Sequence, residues 1–136
     1  MRYMLDTNIC IYLGNEFAPR AQQKFASLTV GDALMSSVVY GELQHGIARD
    51  AATMYGNLLR LEALVTRVLV VDYDSKAAAI YGQLAARIAR RHRDAVDCMI
   101  AAHAISLDAT LVTNNERDFA GYVEIGGLRL ENWVRA

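Results

Sequence analysis

Short apolar runs alternate with stretches of helical periodicity along this chain. Tyr3-Met4-Leu5 reads as a strand within residues 2–5, closed by Asp6, and a helix follows from about Ile9 to Leu13, where Gly14-Asn15 breaks it. A second helical piece runs from Ala21 to Leu28 behind Pro19. Ala33-Leu34-Met35 is a strand ended by Ser36-Ser37, with Ser37 placed to cap a helix reaching about Ile47. Between Ala52 and Thr66, Met54, Leu58, Leu61 and Leu64/Val65 recur at helical spacing. Val68-Leu69-Val70-Val71 is a β-branched strand, and Asp72-Tyr73-Asp74-Ser75 leads into a helix with Tyr81, Leu84 and Ile88 on one stripe. Asp94 is placed to cap a helix to Leu107, Thr110-Leu111-Val112 is a strand ending in Thr113-Asn114-Asn115, and Leu128 to Leu130 reads as a late edge strand.

Strands alternating with helices imply parallel βαβ units, so the expected fold is α/β, a three-layer α/β/α sandwich around a mostly parallel central sheet. The 136 residues show no linker or repeat, which predicts one domain over residues 1–136. A hydrophobic content of 54% and a single proline argue against long disordered segments. Net charge is −1, from 14 basic and 15 acidic residues, so any nucleic-acid contact must come from a local patch. Cys10 and Cys98 lie far apart in apolar helical contexts and read as buried free thiols of a reducing cytosol. The apolar run before Asp6 is too short for a signal-peptide core, and no uncharged apolar stretch reaches the roughly 18 residues of a membrane span. A cytoplasmic protein without a membrane partner is expected.

Chemistry enters with the acids that interrupt apolar stretches: Asp6 after the first strand, Glu42 in Val38-Val39-Tyr40-Gly41-Glu42-Leu43, and Asp97 in Val96-Asp97-Cys98-Met99-Ile100. Each has a structural explanation. Asp6 is a good helix N-cap, Glu42 fits a solvated face, and Asp97 three residues after Asp94 resembles a capping box. Their joint placement points further. Asp6 and Thr113-Asn114-Asn115 both follow strands, and Glu42 and Asp97 sit in helices that start from the same sheet edge, where open α/β sheets bind ligands. Asp118 lies just past that cluster. Carboxylates gathered there require a raised pKa or a cation, and oxygen-only ligation suits Mg²⁺ and the hydrolysis of a phosphodiester.

Rival chemistries lack their residues. His45, His92 and His103 are isolated from one another and from both cysteines, which argues against zinc, and His103 fits helix packing. There is no glycine-rich phosphate loop, and Ser36-Ser37 has no nucleophile-elbow context. The run Arg87, Arg90, Arg91, His92, Arg93 is the one local positive patch, either a solvated helix end or a rim for an RNA backbone, with Arg90, Arg91 and Arg93 as the phosphate contacts.

Leu5-Asp6-Thr7-Asn8, the Glu42 helix after Ser36-Ser37, Asp97-Cys98-Met99-Ile100-Ala101-Ala102-His103-Ala104 and Leu111-Val112-Thr113-Asn114-Asn115 with Asp118-Phe119 resemble the PIN-domain ribonucleases. More narrowly they resemble the VapC-type toxins of bacterial toxin–antitoxin pairs, and the likeness extends to Leu128-Arg129-Leu130-Glu131-Asn132-Trp133. The resemblance implies that Asp6, Glu42 and Asp97 hold Mg²⁺ or Mn²⁺ and that the fourth position of the site falls to Asn115 or Asp118. It makes Thr7, Asn8, Thr113 and Asn114 supporting or water-orienting groups, together with Asn115. It further implies a cognate VapB-type antitoxin, a homodimer, and cleavage of structured RNA such as tRNA or rRNA. Many relatives carry a Gly-Pro-containing loop before the third acid, where this chain has its arginine run. Two other classes stay open: a non-catalytic RNA- or protein-binding module on the same fold, with the acids as caps, and a Mg²⁺-dependent phosphatase on a similar sheet.

Overall fold

The computed structural model describes residues 1–15, 18–88 and 94–135. Strands β1 (Tyr3–Leu5), β2 (Ala33–Ser36), β3 (Leu69–Val71), β4 (Thr110–Val112) and β5 (Arg129–Glu131) form one sheet in the order β3-β2-β1-β4-β5. Every pairing is parallel, with Leu5 opposite Val112 and Ser36 opposite Val71 at the carboxyl ends. The central strands β1, β2 and β4 are buried along their whole length, as parallel strands covered on both faces must be, whereas β3 and β5 are edges.

Helices α1 (Thr7–Asn15), α2 (Pro19–Ala26), α3 (Ser37–Ala48) and α4 (Met54–Val65) connect β1 to β2 and β2 to β3. Helices α5 (Ser75–Arg87), α6 (Ala95–Ser106) and α7 (Glu116–Gly126) serve the return to β4 and β5. The chain steps outward on one side of β1 and then back past it, so right-handed crossovers place the first four helices on one face and the last three on the other. The helix contacts follow this division, α1 against α2, α3 and α4, and α5, α6 and α7 against one another. The reversal falls between β1 and β4, which makes the gap beyond Leu5 and Val112 the topological switch point.

Three local details differ from the sequence reading. Helix α1 starts at Thr7 and continues through Gly14-Asn15, because Asp6 caps it and its apolar face is buried at Ile9, Cys10 and Leu13. Ser36, not Ser37, caps α3, its Oγ accepting from the Val38 N–H at 3.1 Å. Ser37 Oγ instead accepts from the Tyr73 N–H at 3.0 Å and ties the exit of β3 to the start of α3. Helix α7 was not expected; Phe119 and Tyr122 anchor it in the core, and it ends at Gly127, whose φ of +72° suits a left-handed cap.

Candidate active site

Asp6 emerges from β1 at the switch point and is only 6% exposed. One carboxylate oxygen, Oδ1, accepts from the Ile9 N–H at 2.9 Å, so the capping role is real. The carboxylate also accepts from the Thr113 side chain across the gap to β4 and from the Asn8 backbone. Burial raises its pKa above the ordinary value, with Glu42 adding repulsion, and the hydrogen bonds from Thr113, Ile9 and Asn8 offset part of that. A buried carboxylate held by neutral donors is an anion awaiting a positive partner.

Asp97 stands in the first turn of α6, its backbone N–H donating to Asp94 Oδ1 at 3.0 Å. Burial, then repulsion from Asp94, Asp118, Asp6 and Glu42, pushes its carboxyl up to about 7. Asp97 therefore feels the other three acids selected by sequence, and Asp6 feels Glu42. Glu42 and Asp118 are exposed, so the burial cost that sequence suggested for Glu42 falls on Asp6 and on half-buried Asp97. Glu42 Oε1 accepts from Thr7 Oγ1 at 2.6 Å, which fixes the α3 acid against the start of α1. Among the described residues, no three Asp, Glu, His or Cys side chains share a ready-made metal position. The carboxylates meet at electrostatic range.

Asn115 donates through its side chain to Asp118 and through its backbone N–H to Thr113 Oγ1, so these two candidates for the fourth position form one hydrogen-bonded unit. Asn8 is exposed and is linked to the site through its backbone. Asn114 Oδ1 accepts from Asn132 at 3.2 Å and so braces the loop against the β5 exit. Arg90, Arg91 and Arg93 lie outside the described residues.

One connection went unseen in the sequence. His103 and Ser36 are fully buried, with Nδ1 and Oγ 2.8 Å apart, and the ring also donates to the Asp72 carbonyl while packing edge-on against Tyr73. Val38, Ser36 and His103 thereby link the start of α3, which carries Glu42, to the last turn of α6, which carries Asp97 in its first. Burial lowers the pKa of His103, with Asp74 and the Asp72 carbonyl opposing the shift. The only sequence signal was a histidine inside an apolar helix whose partner is distant in the chain.

The chain matches the PIN domain family over residues 3–124. It is 40% identical over 135 residues to the tRNA(fMet)-specific endonuclease VapC of Shigella flexneri, covering 98% of both chains. It superposes with a TM-score of 0.85 on a VapBC structure from Rickettsia felis bound to a promoter DNA fragment, at 33% identity, covering 98% of this chain and 99% of that one. A DNA-bound VapBC structure from Salmonella typhimurium also gives a TM-score of 0.85, at 36% identity over 98% of both chains. Acids converging at the switch point of a parallel sheet, together with likeness along nearly the whole chain, place this protein in the PIN-domain family, among its VapC ribonucleases.

Proposed function

We propose that this endoribonuclease is the toxin of a VapBC-type pair and depends on Mg²⁺, or on Mn²⁺ in its place, to hydrolyse phosphodiester bonds in structured RNA of the tRNA or rRNA class. The observation that carries the metal reading is the state of Asp97, pushed up to about 7 by burial and by Asp94, Asp118, Asp6 and Glu42. Such a group of oxygen donors fits a hard divalent cation, which would relieve the repulsion and draw the carboxylates inward. Asp6, Glu42 and Asp97 would hold the ion, with Asp118 in support. When bound, it supplies Lewis-acid activation of the phosphate and of the attacking water.

The chain's own groups do the positioning. The N–H of Ile9 and the Thr113 side chain orient Asp6, Thr7 orients Glu42, and Asn115 orients Asp118. At neutral pH Asp97 lies close to half-protonated and is poised to give up its proton when a positive charge arrives. Substrate class rests on the Shigella flexneri relative, whose name specifies tRNA(fMet). The VapBC assemblies of structural relatives support a VapB-type antitoxin as partner and an oligomeric state, for which we propose a homodimer of the toxin. No helix among the described residues is long and apolar enough to cross a membrane, and the proposed setting is the cytoplasm, with one domain over residues 1–136 carrying the activity.

The deciding experiment is cleavage of total tRNA by the purified protein with Mg²⁺ or Mn²⁺, with EDTA, and as Asp6→Asn. Asparagine caps a helix as well as aspartate does, so this change removes the charge while sparing α1. Cleavage that needs the cation and disappears in Asp6→Asn supports the reading. Full cleavage in excess EDTA contradicts it.

A further inference from the structure

A cavity of about 510 Å³ lies among α1, α3 and α4 and opens beside the acidic pocket at Thr7 and Glu42. Helices α1 and α4 line it with residues at the spacing of a single helical face, Thr7, Cys10, Ile11 and Gly14 from the one and Asn57, Arg60, Leu61 and Leu64 from the other. Helix α3 closes it along a broader surface, from Glu42 through Leu43, His45, Gly46 and Ile47 to Arg49 at its C-cap. The groove is thus a continuous trough leading away from the acids. Its walls are mainly apolar and its far end is basic.

Two features define what the trough would accept. Gly14 and Gly46 leave it wide, since a Cβ at Gly14 would meet nothing within 4 Å and one at Gly46 only the Arg49 guanidinium at 4.0 Å. Arg49 and Arg60 make no ion pair with a described acid, and the Arg60 guanidinium is steadied by Asn57 Oδ1 at 2.8 Å. Arg49, the C-cap of α3, lies seven residues beyond Glu42, about 10 Å along the helix axis. A polyanion entering a carboxylate pocket is repelled there and needs cations a short way along its backbone.

We propose that the α1–α3–α4 groove is a strand-binding subsite for RNA, seating an unstacked nucleobase next to the cut against its apolar walls, with the following phosphate on Arg49 and Arg60. This rests on the nuclease reading above and adds where the strand runs. Unstacked single-stranded segments present a flat base that apolar surface covers, and guanidinium groups match phosphate oxygens in pairs. The charge order, acid at the mouth and base at the far end, matches a strand whose scissile phosphate meets the cation site while its neighbour has no metal to neutralise it.

The test is single-turnover cleavage of fluorescein-labelled total tRNA, whose loops supply the unpaired strand, with Mn²⁺ and repeated over a salt series. For R49Q/R60Q we expect a higher half-saturating concentration and a log–log salt dependence flatter by roughly 1.4, at about 0.7 per phosphate contact on a single strand. For Gly46→Leu, which fills the trough where a Cβ has room, we expect half-saturation to rise roughly fivefold with the salt dependence retained. Thermal melts of both variants establish that they are folded. If wild type cuts and both variants match it in half-saturation and salt dependence, the strand path is wrong. Variants that cut as wild type does but escape inhibition by the cognate antitoxin assign the groove to that protein and overturn the proposal. If wild type cuts no RNA, the nuclease reading itself has failed.

Discussion

The two helical layers that deliver the acids are packed to different degrees. On the α5–α7 side, α6 buries Cys98, Ile100, Ala101, Ala102, His103 and Ala104, and small alanines let α5 approach closely. On the α1–α4 side, Glu42 is exposed and a cavity of about 510 Å³ lies among α1, α3 and α4. Asp97 is thus fixed by a dense layer, whereas Glu42 sits on the rim of an open one and relies on Thr7 for its orientation. The lesson is a division of labour: the dense face holds charge in place against repulsion, and the open face leaves room for a polymer beside it.

The largest expected effect falls between the two layers, at the end of β1. Asp6→Asn should lower RNA cleavage on the order of a hundredfold or more, with a melting temperature equal to or above that of the metal-free wild type, because the cap survives and a buried charge is gone. Cleavage and melting curves measure both. Loss of folding instead would make Asp6 chiefly a structural cap.

Packing itself gives the next contrast. Ile100→Ala, in the dense layer at 2% exposure, should cost about 3–4 kcal/mol in urea denaturation. Leu43→Ala, on the groove wall, should cost about 1 kcal/mol, since space already lies beside it. Equal costs would remove the distinction between the layers.

Repulsion at Asp97 predicts a pH signature. Its carboxyl is raised from an ordinary 3.8 to about 7, so between those values the folded state keeps a proton that the unfolded chain has released. Stability from this group is complete below the lower value and is lost as pH rises through the upper one. Without divalent cations, Asp97→Asn should therefore melt roughly 3–6 °C above wild type at pH 8, a gain that vanishes near pH 4. A gain that grows on acidification would reverse the sign and refute the assignment.

The smallest effect belongs to the open side. Thr7→Val removes the hydroxyl that holds Glu42 and should reduce cleavage roughly tenfold with little change in melting temperature. Thr7→Ser should recover most of the loss.

Much of this arrangement was legible in the residues. Tyr3-Met4-Leu5 followed by Asp6, and Thr110-Leu111-Val112 followed by Thr113, announce strand ends, and the alternation with helices gives the parallel sheet. What stayed hidden depends on contacts distant in sequence. Ser36 and Ser37 look interchangeable as caps until Tyr73 and His103 claim one each. Helix α7 carries two glycines and no side-chain cap, so its propensity is weak and Phe119 and Tyr122 stabilise it through the core. The sequence left Glu42 between a solvated face and burial, because Val39, Leu43 and Ile47 flank it closely, and the structure exposes it.

Calorimetric titration of Mn²⁺ into wild type and Asp97→Asn, run in buffers of different ionisation enthalpy at pH 6 and pH 8, bears most directly on the proposed cation site. Wild type is expected to bind saturably, releasing a proton at pH 6 and far less at pH 8, and Asp97→Asn to bind more weakly and without that release. Mn²⁺ binding of equal affinity in both proteins, with no proton released at either pH, would contradict the proposed site.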